Sequence, residues 1–170
     1  MALKKSQKEE IVKEFEGVAK DSKSIVFLNF HGLNVGDETI LRRGLREKGV
    51  NYKVGRKTLL KRAFAGRAEG EMPELPGEVA IAYLSAEALA KEGGNDQLAP
   101  AREVYNFGKS RDGILRVLGG IFEGKFVGAE MMTEIATIPS REVLLSKLAF
   151  LLQSPMQRLA IAVSEVAKGK

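Results

Sequence analysis

Apolar residues recur along this chain with two periods, one helical and one strand-like, and the two alternate. Ser6-Gln7-Lys8-Glu9 has the form of a capping box, and Ile11, Val12, Phe15, Val18 and Ala19 follow at helical spacing, predicting a helix over Ser6–Ala19. Ser24–Phe30 is β-rich and almost wholly apolar, the mark of an interior strand. Asn34 can cap a second helix running to about Lys48, with Gly49 at its C′ position. Val50–Val54 reads as the next strand and Thr58–Arg67 as the next helix, ending among Gly66, Gly70 and Pro73. Glu78–Leu84 is a third strand. A weaker helix starts near Ala86 and is interrupted by Gly93-Gly94-Asn95-Asp96, and Pro100 is placed to open another through Lys109. Ile114–Leu118 and Gly120–Phe122 read as strand segments around a Gly119-Gly120 kink. Glu123-Gly124-Lys125 then turns the chain, and Gly128–Ala136 returns to helix.

This alternation predicts an α/β (α+β) domain over residues 1–136, with a mixed sheet of about four or five strands flanked by helices. After Thr137-Ile138-Pro139 the pattern changes, and residues 137–170 read as a C-terminal helical extension. Ser140 caps an apolar run containing Val143, Leu144, Leu145, Leu148, Phe150, Leu151 and Leu152. Ser154-Pro155-Met156-Gln157 then carries the signals of a fresh N-terminus and predicts a separate last segment. That segment places Met156, Leu159, Ala160, Val163, Val166 and Ala167 along one narrow face suited to a helix–helix seam. Isolated helices shorter than about 12–15 residues are marginal in water, so it must fold back on the domain or receive another protein.

Composition narrows the chemistry. The chain has no Cys and a single histidine, His31, which excludes disulfides, thiolate metal sites and histidine clusters. No cofactor and no catalytic constellation are expected: His31 reads as a strand-end residue beside a turn glycine, and Glu9-Glu10 and Asp37-Glu38 fall where they complement helix dipoles. No apolar run of 18 residues appears and the first ten residues lack a signal-peptide core, so a cytoplasmic protein with no membrane partner is expected. The net charge of +5 conceals an asymmetry. Residues 1–70 carry 16 bases against 9 acids, residues 71–136 carry 6 against 11, and residues 137–170 carry 5 against 2.

The densest charge lies between Asn51 and Arg67, where Lys53, Arg56, Lys57, Lys61, Arg62 and Arg67 stand with no acid among them. A strand feeding a Gly55-Arg56-Lys57-Thr58 turn and then a helix N-terminus presents free N–H groups and a positive dipole end, which suits phosphate. A nucleotide-binding P-loop needs Gly, four residues, then Gly-Lys-Ser/Thr. Here five residues separate Gly49 from Gly55 and Arg56 intrudes before Lys57-Thr58, so a nucleotide-binding enzyme is disfavoured. Two readings stay open on charge alone: a solvated helix face, or a surface for nucleic acid. With few aromatics and no Trp there is no stacking platform, so the nucleic-acid reading favours a folded backbone recognised by shape and phosphate.

The succession Tyr52–Phe64 (Y-K-V-G-R-K-T-L-L-K-R-A-F), Leu75–Tyr83, Val117–Gly124 and Ile138–Leu145 resembles, in order and spacing, the stalk-anchor family of the bacterial large ribosomal subunit, number ten in that series. The resemblance covers nearly the whole chain. It implies a non-catalytic scaffold whose N-terminal domain binds large-subunit ribosomal RNA at the GTPase-associated centre, beside large-subunit protein eleven. It further implies that the C-terminal helix carries dimers of the acidic stalk protein seven/twelve, which recruit translational GTPases. Carried onto this chain, Lys53, Gly55, Arg56, Lys57, Thr58, Lys61 and Arg62 are the candidate RNA contacts. Met156, Leu159, Ala160, Val163, Val166 and Ala167 are the candidate stalk contacts, and the short tail past Pro155 suggests two dimers. The family commonly has Lys-Asn-Thr where Arg56-Lys57-Thr58 stands, and often Arg at the position of His31. A ribosome-assembly factor of similar fold, binding RNA without stalk dimers, is the alternative.

Overall fold

The computed structural model describes residues 5–22, 24–66, 68–70, 72–84, 97–111 and 114–169. The chain divides into two compact units, Met1–Ile138 and Pro139–Lys170. In the first, helices α1 (Lys5–Asp21), α2 (Val35–Glu47), α3 (Lys57–Phe64), α4 (Ala99–Ser110) and α5 (Ala129–Thr137) alternate with strands β1 (Ser24–Asn29), β2 (Val50–Val54), β3 (Val79–Leu84), β4 (Arg116–Phe122) and β5 (Lys125–Gly128). The expected α/β class holds. The helix expected near Ala86 and the end of the Thr58–Arg67 helix at Arg67 fall outside the described residues; α3 itself stops at Phe64, before Gly66 with its φ of +78°. Ser6, expected as a cap, lies inside α1.

The sheet has the order β2-β3-β1-β4-β5, and every strand pair is antiparallel, where a mixed sheet was expected. The reason lies in β3. The α2 crossover makes β1 and β2 run in the same direction, as a βαβ unit would, but β3 inserts antiparallel between them, the arrangement of a split βαβ unit. Strand position also explains the apolar patterns. The interior strands β1 and β3 are buried almost throughout, whereas β2, at the edge, exposes Asn51 and Val54.

Alternate residues of β1 divide between two cores. Val26 and Leu28 pack with α2, α4 and α5 through Leu41, Leu45, Val104 and Met132. Ile25 and Phe27 face α1 and α3 through Phe15, Leu60, Ala63 and Phe64, with the Phe27 and Phe64 rings edge-to-face at 5.5 Å. The period-2 alternation of β1 thus holds helices on both sides of one sheet.

The expected kink at Gly119-Gly120 is a β-bulge inside one continuous strand. Phe27 pairs with Gly119 and Leu28 with Val117, so Leu118 is the extra residue, and Gly119 has φ +137°. Sequence reasoning missed β5. Its hairpin loop is two residues, Glu123 (φ 51°) and Gly124 (φ 80°), the positive-φ pair of a type I′ turn.

A Cβ at Gly120 would lie 2.2 Å from the Ile25 carbonyl oxygen and 2.4 Å from Met132 Cε, so the sheet and α5 can meet only over glycine. Gly120→Ala is therefore expected to destabilise the domain by about 1–3 kcal/mol, as overpacking does, read as a lower urea midpoint without a change in m-value.

The second unit is one helix, α6 (Arg141–Lys168), opened by Ser140, whose Oγ accepts from the Val143 N–H at 3.4 Å. Contrary to expectation it does not restart at Ser154-Pro155: Pro155 sits inside it. An interior proline costs one hydrogen bond and roughly 3 kcal/mol. Ending the helix and opening a second would leave up to four carbonyls and four N–H groups without helical partners, and the Leu-, Ala- and Gln-rich flanks favour continuation.

Candidate nucleic-acid interface

Helix α3 is amphipathic over two turns. Leu59, Leu60, Ala63 and Phe64 are buried, which leaves Lys57, Thr58, Lys61 and Arg62 exposed on the opposite face with Arg56 at the N-cap. The two pairs 57/61 and 58/62 are i,i+4 neighbours, so the cations share one surface. Lys57 over Lys61 is a like-charge pair that costs a helix about 0.2–0.5 kcal/mol and returns nothing within the fold. The first turn holds no acid, and Arg56 makes no side-chain cap.

Elsewhere in this unit, several cations are spent on carboxylates. Arg42 Nη2 reaches Glu38 Oε1 at 2.6 Å, Arg111 Nη2 reaches Asp37 Oδ1 at 2.9 Å, and Lys48 pairs with Glu103. Among the described residues no carboxylate pairs with Arg56, Lys57, Lys61 or Arg62. Arg43 and Arg46 of α2 are exposed too, but α2 packs on the other face of the sheet.

Two of the expected contacts prove to be occupied within the fold. Lys53 Nζ pairs with Glu14 of α1 and lies 5.6 Å from the Phe15 ring centroid. The run from Asn51 to Arg67 has no acid of its own, but α1 brings one to its first lysine. Gly55 donates its N–H to the Val79 carbonyl at 3.2 Å, and a Cβ on it would lie 2.7 Å from Phe15 Cζ. Its glycine is required by packing against α1, a reason invisible to local sequence.

Tyr52 points to the other face of β2, beneath Arg42, whose guanidinium carbon is 5.0 Å from the ring centroid. Its hydroxyl is buried without a hydrogen-bond partner among the described residues. Burial, reinforced by the Glu38 charge and opposed by Arg42, pushes the phenol from 10.0 up to about 12. The folded value is the higher one, so the unfolded chain loses the proton first and stability falls as pH rises from 10 toward about 12. Tyr52→Phe is expected to flatten that alkaline loss and to leave neutral-pH stability unchanged or raised by about 1 kcal/mol, checked by thermal melts across the pH range.

Helix α6 carries the expected residues Met156, Leu159 and Val163, all exposed, but its apolar surface is larger than that set. From Val143 to Val166 its large apolar side chains are 44–74% exposed, including Leu145, Leu148, Leu152 and Ile161. Because the helix continues through Pro155, Leu145, Leu148 and Leu152 extend the stripe of Met156, Leu159, Val163 and Val166 at threes and fours. The sequence pattern pointed only to the second half, because its signals divide the helix at Ser154. Among the described residues no helix is long and apolar enough to cross a membrane, and no group of three or more His, Cys, Asp or Glu could hold a metal ion.

The sequence of this chain is similar to those of known ribosomal proteins. The family model described as Ribosomal protein L10 matches residues 3–92, and that of the ribosomal protein uL10 C-terminal region matches residues 138–170. A relative from Shouchella clausii is 39% identical over 165 residues, spanning 96% of this chain and 93% of its own length. One from Bacillus cereus is 37% identical over 164 residues, with the same shares. Both are named large ribosomal subunit protein uL10. The chain belongs to the uL10 family.

Proposed function

We propose that this chain is a non-catalytic scaffold of the ribosomal stalk. Residues 1–136 bind large-subunit ribosomal RNA at the GTPase-associated centre, near protein eleven, and residues 137–170 hold dimers of the acidic stalk protein seven/twelve. The dimers in turn recruit translational GTPases to the cytoplasmic ribosome. One contrast carries the reading. The cations of α3 are left without carboxylates in a domain that pairs Arg42, Lys48, Lys53 and Arg111, while α6 by itself has no buried residue. A surface of unspent positive charge suits a polyanion, and a lone apolar helix suits protein.

For the RNA contact, Arg56, Lys57, Thr58, Lys61 and Arg62 are the preferred residues. Lys53 and Gly55 act through packing, as supports of the turn. Full burial of a Leu or Val side chain is worth about 1.5–3 kcal/mol, so covering a few positions of α6 supplies ample affinity for a dimer. Helix α6 is about 42 Å long at 1.5 Å per residue, which gives two dimers room in tandem.

Arg56→Ala with Lys57→Ala is expected to weaken binding to a transcript of the GTPase-associated region. The slope of log affinity against log salt should flatten by about 0.7–0.9 for each phosphate that the variant no longer neutralises. An unaltered slope would remove the turn from the interface. Leu159→Asp with Val163→Asp is expected to lower the number of stalk dimers seen by native mass spectrometry and to leave RNA affinity unchanged. Loss of RNA binding in that variant would contradict the division of labour.

A further inference from the structure

At the end of the sheet where β1 and β2 finish, two loops are fastened together. Asn29 Oδ1 accepts from the His31 N–H at 2.9 Å, and Asn29 Nδ2 donates to the Pro76 carbonyl at 3.2 Å. Gly77, with φ +76°, passes so close that a Cβ on it would lie 2.9 Å from Asn29 Nδ2. One side chain thus sets the turn after β1 against the turn before β3. On top of the brace stand His31 and Glu78, 80% and 60% exposed, with His31 Nδ1 3.9 Å from Glu78 Oε2. That separation is ion-pair distance but beyond hydrogen-bond range, so His31 leaves the carboxylate's lone pairs open to a donor.

Cations flank this pair on both sides. Gly55 is hydrogen-bonded to Val79, the residue after Glu78, which brings the Arg56-Lys57 turn to the same end. Exposed Arg116 begins β4 as the register partner of Asn29. Strands lie about 4.8 Å apart, so from β2 to β1 the two turns are separated by about 10 Å. Two acids in the first turn of α2 are engaged, Asp37 by Arg111 and Glu38 by Arg42. Glu78 is exposed, pairs with no Lys or Arg among the described residues, and sits between groups suited to phosphate.

A free carboxylate there would repel the phosphates its neighbours attract, unless it meets a donor. The donors an RNA offers are base amino and imino groups on the exposed edges of unstacked bases, and a glutamate accepts well from cytosine N4. An exposed imidazole beside it can stack on such a base. We propose that Glu78, seated beside His31 on the Asn29 brace, reads a base edge of the bound RNA while Arg56 and Lys57 on one side and Arg116 on the other hold its phosphates. Phosphate contacts then supply affinity and register, and Glu78 supplies discrimination.

This inference rests on the RNA reading above, and the full-length protein tests the two separately. Binding of wild type, Glu78→Ala and Arg56→Ala/Lys57→Ala is measured against the target transcript and a scrambled RNA of equal length across a salt series. Glu78→Ala is expected to lose about tenfold in affinity for the target, the scale of one good base contact, with its salt slope and its affinity for scrambled RNA unchanged. Wild-type affinity for the target, or tighter binding of both RNAs, would overturn the inference and make Glu78 a plain surface acid. A wild-type chain that fails to distinguish target from scrambled RNA would overturn the RNA reading itself.

Discussion

The insertion of β3 between β1 and β2 is the constraint on which the rest of the first unit depends. Its antiparallel pairing joins three strands from the β2 edge to the buried β1, with Val79 opposite Asn29 and Ala80 opposite both Leu28 and Val54. Because β1 and β2 run the same way on either side of it, the turns after both strands emerge at one end of the sheet. That end carries the α3 turn, the His31 turn and the start of β3. The Gly55 to Val79 hydrogen bond and the Asn29 bridge to Pro76 fasten these turns to the sheet, so the exposed groups stand on a rigid base.

Electrostatics then separates structural from available charge. A cation paired with a carboxylate on the surface gains little stability, typically under about 1 kcal/mol, but the pairing neutralises it toward a third party. Arg42, Lys48, Lys53 and Arg111 are neutralised in this sense, each by a residue on its own or a neighbouring element. The α3 face is not. In the second unit the same division holds for apolar surface: the helix needs its side chains covered, and nothing within the unit covers them. One half of the chain keeps charge in reserve and the other keeps hydrophobic area in reserve.

Much of this was legible in local pattern. The apolar run of β1, the spacing of α1, the Asn34 and Gly49 limits of α2 and the Gly119-Gly120 irregularity all follow from interactions within a few residues. What escaped needed distant partners. The direction of the strand pairs depended on β3 slipping between two others, which helix–strand alternation cannot reveal. Gly55 looked like a phosphate-loop glycine and is a contact for Phe15, forty residues earlier in the chain. Lys53 looked free because its acid, Glu14, lies on α1, far from β2 in sequence. Strand β5 is four residues long, too short for its period to register. Pro155 was read as a break from its local rules, although the cost of two new helix ends exceeds that of one missing hydrogen bond.

The proposed scaffold holds RNA and protein at once, through separate surfaces. Native mass spectrometry of the chain mixed with both the GTPase-associated transcript and the acidic stalk protein tests it most directly. The expected result is a single species containing the chain, one RNA and stalk dimers, with the same number of dimers whether or not RNA is bound. Mutually exclusive binding of RNA and stalk dimers, or no stalk dimers at all, would contradict it.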